Sequence, residues 1–141
     1  MTVDSIKNGI VIDHIEAGKG MKIYRFLNLD RLTCPVALLK NVVSAQKGKK
    51  DIIKIDGTLD IDFGVLGYIA PGITINIIRD GKIARKVHPQ LPELVKDVIR
   101  CKNPRCITST EQELQHVFKL TDRENHVYRC LYCETKAKTE D

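Results

Sequence analysis

Four of the five cysteines stand in two short pairs, Cys101-Lys102-Asn103-Pro104-Arg105-Cys106 and Cys130-Leu131-Tyr132-Cys133, with twenty-three residues between the pairs. This pattern constrains the chain more than any other. Zinc takes four soft or borderline ligands at the corners of a tetrahedron, with Zn–S bonds of about 2.3 Å. Two turns that each supply two thiolates close small loops at low entropic cost, and Asn103-Pro104 is itself a turn former. Clustered cysteine pairs in a chain with no secretory signature point to metal rather than disulfides, the competing reading being two disulfides. Four sulfur ligands leave no position for water or substrate, so a metal held by Cys101, Cys106, Cys130 and Cys133 is expected to be structural zinc. His116 and His126 are not needed as ligands. Lys102, Arg105 and Arg129 are placed to offset the charge of a tetrathiolate. Residues 116–120 and 126–129 alternate as two strands, a zinc-ribbon-like β layout.

Size supports the same reading. The cysteines occupy a C-terminal segment of about forty residues, and a domain that small needs a metal, disulfides or a partner to hold it folded. The whole 141-residue chain is 43% hydrophobic, enough for the longer part ahead of it to bury a core of its own. The expected domains are therefore 1–97 and 98–141, with residues 91–99 as a short amphipathic connector: Leu91, Leu94, Val95, Val98 and Ile99 recur at helical spacing. Cys34, alone in Leu32-Thr33-Cys34-Pro35-Val36, reads as a small buried hydrophobe. Met1-Thr2-Val3-Asp4-Ser5 carries no signal-peptide pattern, and no apolar run approaches the roughly 18 residues of a membrane span. The expectation is a cytoplasmic protein without membrane contact.

The N-terminal part reads as strand, helix, strand, strand, helix, strand, with one strand added. Gly9–Ile15 is β-branched and apolar. Met21, Ile23, Tyr24 and Leu27 mark a short helix over about 18–28. Residues 36–43 and 51–56 read as strands around a basic turn at 44–50, and Leu59, Phe63, Leu66 and Ile69 mark a helix from about 58 to 69. Residues 73–78 and 82–87 flank Arg79-Asp80-Gly81, and Asp-Gly suits a type I′ hairpin turn. The fold class is α+β: an N-terminal ferredoxin-like α/β sandwich of the split-βαβ kind, followed by the zinc-ribbon-like β domain.

The formal charge of +5, from 23 Lys and Arg against 18 Asp and Glu, suits an anionic ligand without choosing one. Three Phe, four Tyr and no Trp leave few stacking platforms for single-stranded nucleic acid. The run Lys47-Gly48-Lys49-Lys50 reads as a solvated turn. Lys54 lies within an apolar strand, either solvated or facing a ligand. Asp13 and His14 close the first strand and point to opposite faces unless the strand bulges there. Counting back from a two-residue turn pairs Lys86 with Ile75, on the apolar face, where a lysine needs an anionic partner; a flipped register is the alternative. No phosphate loop, serine elbow, Cys–His pair or open metal site is visible. Asp60 and Asp62 sit in turn-like surroundings. An enzyme is therefore disfavoured, and a zinc-ribbon nucleic-acid-binding protein is the rival reading. Against it, Glu111, Glu113, Asp122, Glu124 and Glu134 are mixed among the bases of the ribbon.

The stretches Ile6–Ile15, Lys50–Ile55, Ala70–Asn76 and Pro89–Pro92, with the C-x4-C and C-x2-C pairs, resemble the regulatory chain of aspartate carbamoyltransferase over nearly the whole length. That family is an allosteric, non-catalytic subunit of pyrimidine biosynthesis. The resemblance implies an N-terminal domain that binds nucleotide effectors, with CTP or UTP inhibiting and ATP activating. It also implies a zinc domain that docks on the catalytic chain, a regulatory-chain homodimer and an assembly of six catalytic with six regulatory chains. By the same resemblance Asp13 and Lys54 contact the ribose region, and His14 and Lys86 face the triphosphate. Ile6, Val11 and Ile83 line the base, with Asn76 nearby. The chain departs from better-known members at the hairpin tip, where Gly81 stands in place of a bulkier residue, and in a slightly shorter loop between Asp56 and Tyr68.

Overall fold

A computed structural model describes residues 6–45, 48–60, 63–111 and 113–137. Met1–Ser5, Lys47 and Asp62, which enter the expectations above, lie outside the described residues. The chain divides into two compact units, Met1–Gln90 and Leu91–Asp141.

The first unit runs β1 (Gly9–Glu16), α1 (Gly20–Phe26), β2 (Val36–Ser44), β3 (Gly48–Ile55), α2 (Phe63–Ile69), β4 (Thr74–Arg79) and β5 (Lys82–Val87). The sheet order is β2-β3-β1-β4-β5, and every neighbouring pair is antiparallel. This is the expected split-βαβ sheet with β5 added beside β4 as a hairpin arm. Isoleucine dominates its interior because β-branched side chains suit the pleated surface. Ile10, Ile12, Ile53, Ile55 and Ile75 form one face of the sheet and pack with Ile23 of α1, Leu66 of α2 and Ala70 just after it. The strand period of two turns the alternate residues away from that core.

Asp51 is a charged exception on the core side. It is wholly buried, and its carboxylate accepts backbone N–H bonds from Gly18, Gly20 and Asn41, each at 3.0 Å. One side chain thus ties the β1–α1 turn to the irregular middle of β2, where Asn41 has φ 59°.

Two β-bulges decide which way the polar side chains point. In β1, Ile12 pairs with Ile53 but Ile15 pairs with Asp51, so Asp13 and His14 together oppose one residue of β3. His14 takes φ 60° there, and Ile15 returns to the core. In the hairpin, Asp80 and Gly81 have φ 53° and 76°, as a type I′ turn requires, and Arg79 pairs with Lys82 as expected. The register then slips: Ile78 pairs with Ile83 but Ile77 with Arg85. Ala84 is the extra residue. Lys86 therefore pairs with Asn76, not with Ile75 as counted from the turn. A one-residue bulge moves every following side chain to the other face.

The second unit contains β6 (Leu94–Lys96), a short helix α3 (Ile107–Thr110), β7 (Val117–Asp122) and β8 (Val127–Cys130), with strand order β6-β7-β8. The seam between units falls at 90/91, ahead of the expected 97/98. The reason is that residues 94–96 are no connector but a strand paired to β7, with Val95 opposite Phe118. Val95 is buried while Leu94 is exposed, the alternation of a strand rather than a helix. Val95, Val117, Phe118 and Tyr128 make a small core. No helix among the described residues is long and apolar enough to cross a membrane.

Candidate functional site

The four paired cysteines converge at one end of the second unit. Their Sγ atoms all lie within 4.8 Å of one another, with Cys101 to Cys133 at 3.5 Å and Cys106 to Cys130 at 3.7 Å. A tetrahedron with metal–sulfur bonds of about 2.3 Å has edges of about 3.8 Å, so the cluster fits one tetrahedral ion. No two of the sulfurs are bonded, since a disulfide would bring them to about 2.05 Å, and all five cysteines are free. Cys101, Cys106 and Cys130 are buried and Cys133 is half-buried.

Local turn chemistry presents the sulfurs. The Asn103 carbonyl accepts from the Cys106 N–H at 3.1 Å and from the Ser109 hydroxyl at 2.7 Å. Its side-chain oxygen takes the Arg105 N–H at 3.0 Å. In the second turn the Cys130 carbonyl accepts the Glu134 N–H at 2.8 Å, and the Arg129 guanidinium donates to the Glu134 carbonyl at 3.1 Å. Two hydroxyls escaped the sequence reading. Thr108 lies 3.0 Å from Cys106 Sγ, and Thr135 lies 3.2 Å from Cys133 Sγ. The available signal was a Cys-x-Thr step closing each pair. Such outer hydrogen bonds orient ligands and tune their basicity. His116 is not a ligand, but its Nδ1 accepts the Cys101 N–H at 3.3 Å.

Without metal, burial pushes the Cys101 thiol up to about 12 and that of Cys130 upward as well. The Thr135 hydroxyl brings Cys133 down to about 6. A cation that needs thiolates must therefore displace protons from Cys101 and Cys130.

The second constellation lies on the sheet face of the first unit turned away from the helices. A straight cross-strand row runs Lys54–Val11–Asn76–Lys86, each paired with the next. On one side of it lies an apolar row, in which Gly9 pairs with Ile78 and Ile78 with Ile83. Ile6 sits against Gly9: a Cβ there would come within 2.8 Å of Ile6 Cγ2 and 2.1 Å of the Ile55 carbonyl oxygen, so only glycine fits. On the other side lies a polar row. Asp13 pairs with Thr74, and His14 Nδ1 is 3.2 Å from Thr74 Oγ1. The β1 bulge brings His14 to this side, where strict alternation would have sent it to the core. Ile6, Val11, Asp13, His14, Lys54, Asn76, Ile83 and Lys86 thus all lie on one face, graded from apolar to polar.

Lys50 joins them and was not singled out from the sequence, where it read as part of a solvated turn. It lies in β3, and its Nζ is 3.0 Å from Asp13 Oδ1. Partial burial pushes the Asp13 carboxyl up, but the Lys50 ammonium and the His14 N–H outweigh this and hold it below the usual carboxylate range. The buried side-chain oxygen of Asn76 has no hydrogen-bond partner among the described residues, a group that a ligand donor would satisfy.

The comparisons follow the same division of the chain. Residues 1–90 match the family described as aspartate carbamoyltransferase regulatory chain, allosteric domain. Residues 93–141 match its metal binding domain. The chain is 58% identical to the aspartate carbamoyltransferase regulatory chain of Clostridium tetani, over 95% of this chain and 94% of that one. It is 51% identical to that of Clostridium acetobutylicum, over 95% and 92%. It is 45% identical to that of Bifidobacterium longum, over 98% and 99%.

Proposed function

This chain belongs to the aspartate carbamoyltransferase regulatory-chain family, a non-catalytic subunit with an allosteric and a metal-binding domain, and from that premise we propose what each domain does. The first unit binds nucleoside triphosphates on the open sheet face. CTP and UTP act as inhibitors and ATP as activator of a catalytic chain in pyrimidine biosynthesis. The base rests on Ile6, Val11 and Ile83, and the ribose lies near Asp13 and Lys54. The triphosphate meets His14 and Lys86, with Asn76 supplying an acceptor. The observation that carries this reading is the gathering of all eight residues on one face, with the Asn76 oxygen, unpartnered among the described residues, in the middle row. Lys54, Lys86 and Lys50 supply the positive field that a polyphosphate requires.

The second unit holds one zinc ion through Cys101, Cys106, Cys130 and Cys133, the metal that an all-sulfur tetrahedral site favours. When bound, zinc crosslinks the two turns and keeps all four sulfurs as thiolates. Around those turns Ile107, Leu131 and Tyr132 are exposed apolar side chains, an arrangement suited to docking on the catalytic chain. Regulatory chains pair as a homodimer, and six of them join six catalytic chains.

A nucleotide changes catalysis on another chain only by binding one quaternary state more tightly, typically by 1–3 kcal/mol. Calorimetric titration of the assembled enzyme tests the effector face. Lys86→Ala is expected to weaken both CTP and ATP by about tenfold, as loss of a charge-assisted contact should. Unchanged affinity for both would remove this face from the site.

A further inference from the structure

We propose that His88 is a further residue of the anion-binding end of this face, coupled to His14 through the shared hydroxyl of Thr74; this rests on the effector reading above. The register brings the three together. Thr74 opposes Asp13 across β1, and Ile75 opposes Val87 across β5, so the residue after β5 comes level with Thr74. Thr74 is 5% exposed. Its Oγ1 is 3.2 Å from His14 Nδ1 and 3.5 Å from His88 Nδ1. His88 is exposed, yet its backbone is restrained. The following Pro89 restricts it to extended conformations, and the Gln90 side-chain amide donates to its carbonyl at 3.4 Å.

A hydroxyl has one proton to give. When both rings bond to Thr74, one imidazole accepts at Nδ1 and the other donates from Nδ1. The accepting ring, when neutral, carries its proton on Nε2 and can donate that to an anion. The donating ring can present an Nε2–H only as imidazolium. An anion engaged by both rings therefore draws in one proton. The charged groups on the same sheet face are Asp13 and Glu16 from β1, Lys50 and Lys54 from β3 and Lys86 from β5. Asp13 is matched by Lys50 at 3.0 Å and Glu16 by Lys19 at 3.0 Å, so the surroundings favour an anion over a cation. Thr74 makes the two histidines one unit, and His88 extends the anion site past the end of β5.

The test is calorimetric titration of the assembled enzyme with CTP, and separately with cytidine, in two buffers of different ionisation heat at one pH. The wild-type chain should take up protons on binding CTP. His88→Gln should remove about half or more of that uptake and weaken CTP about fivefold, one charge-assisted contact, while leaving cytidine unchanged. Thr74→Val should act in the same direction, and Thr74→Ser, which keeps the hydroxyl, should restore both. If His88→Gln leaves proton uptake and CTP affinity unchanged while Lys54→Ala and Lys86→Ala weaken CTP, His88 is not part of the site. If Lys54→Ala and Lys86→Ala also change nothing, the effector face itself is wrong and the proposal falls with it.

Discussion

The first unit buries a continuous aliphatic cluster between sheet and helices, with Ile12, Ile53, Ile55, Ile75 and Leu66 fully enclosed. The second has a much smaller apolar interior around Val95, Val117, Phe118 and Tyr128, beside three buried cysteines. Its strands are three, six and four residues long. The contrast shows one chain reaching the folded state by two routes. The larger unit relies on apolar area, which no bound group supplies. The smaller one gathers four sulfurs from two turns within 4.8 Å of one another, where a cation would crosslink them. The proposed roles use both properties: a sheet stable enough to hold a graded ligand face, and a docking end whose shape an ion would fix.

Removing the metal should give the largest difference between the two. Structural zinc contributes roughly 10–16 kcal/mol in comparable small modules. A strong chelator, or Cys130→Ser, should abolish hydrogen-exchange protection in β7 and β8 while β1, β3 and β4 keep theirs. Loss of protection in both units together would break the contrast.

Asp51 tests the first unit from the other side. Asp51→Ala removes the acceptor of three N–H groups, that of buried Gly20 among them, and should cost that unit roughly 2 kcal/mol with zinc content unchanged, read by denaturant titration and metal analysis. A variant as stable as the parent would show that this carboxylate does not hold the α1 turn and β2 together.

Acid should sharpen the contrast in a graded way. Since Cys101 and Cys130 hold their protons at neutral pH without metal, zinc must displace both. Its affinity should fall at least about 100-fold for each unit of pH lowered, more steeply once Cys133 also protonates, below about 6. Competition with a metal indicator dye over a pH series reads the slope, and a pH-independent affinity would contradict the thiol assignments.

The smallest effect belongs to the Asp13–Lys50 pair. Its depressed Asp13 carboxyl contributes stability that is present above the unfolded value of about 3.9 and is lost as pH falls through the folded value. Lys50→Met should raise the Asp13 titration midpoint in an NMR titration and cost at most about 1 kcal/mol. An unmoved midpoint would detach Lys50 from Asp13.

Residue types and spacing carried most of the architecture. The strand–helix order follows from β-branched runs and apolar periodicity, the hairpin from Asp80-Gly81, and the metal cluster from paired cysteines. What they did not carry is register. Nothing in the composition of Asp13-His14 or Ala84-Arg85 announces a bulge, because a bulge is settled by how two strands share hydrogen bonds and core. Yet those two bulges determine that His14 and Lys86 face the same side as Lys54. Residues 91–99 misled for a related reason: a stretch this short satisfies helical and strand periods at once, and its pairing with Phe118 decided the matter. Lys50 was hidden because only tertiary structure brings it beside Asp13, and Thr108 and Thr135 because their role depends on sulfur atoms already gathered.

The central claim is that the sulfur-clamped end joins the nucleotide-binding face to a catalytic partner. Sedimentation of the regulatory chain mixed with catalytic chains, before chelation, after it and after zinc is restored, tests this directly. The stripped chain is expected to remain apart from the catalytic chains, still bind CTP, and reassemble when zinc returns. Full assembly by a chain shown by metal analysis to contain no ion at the four cysteines would contradict it.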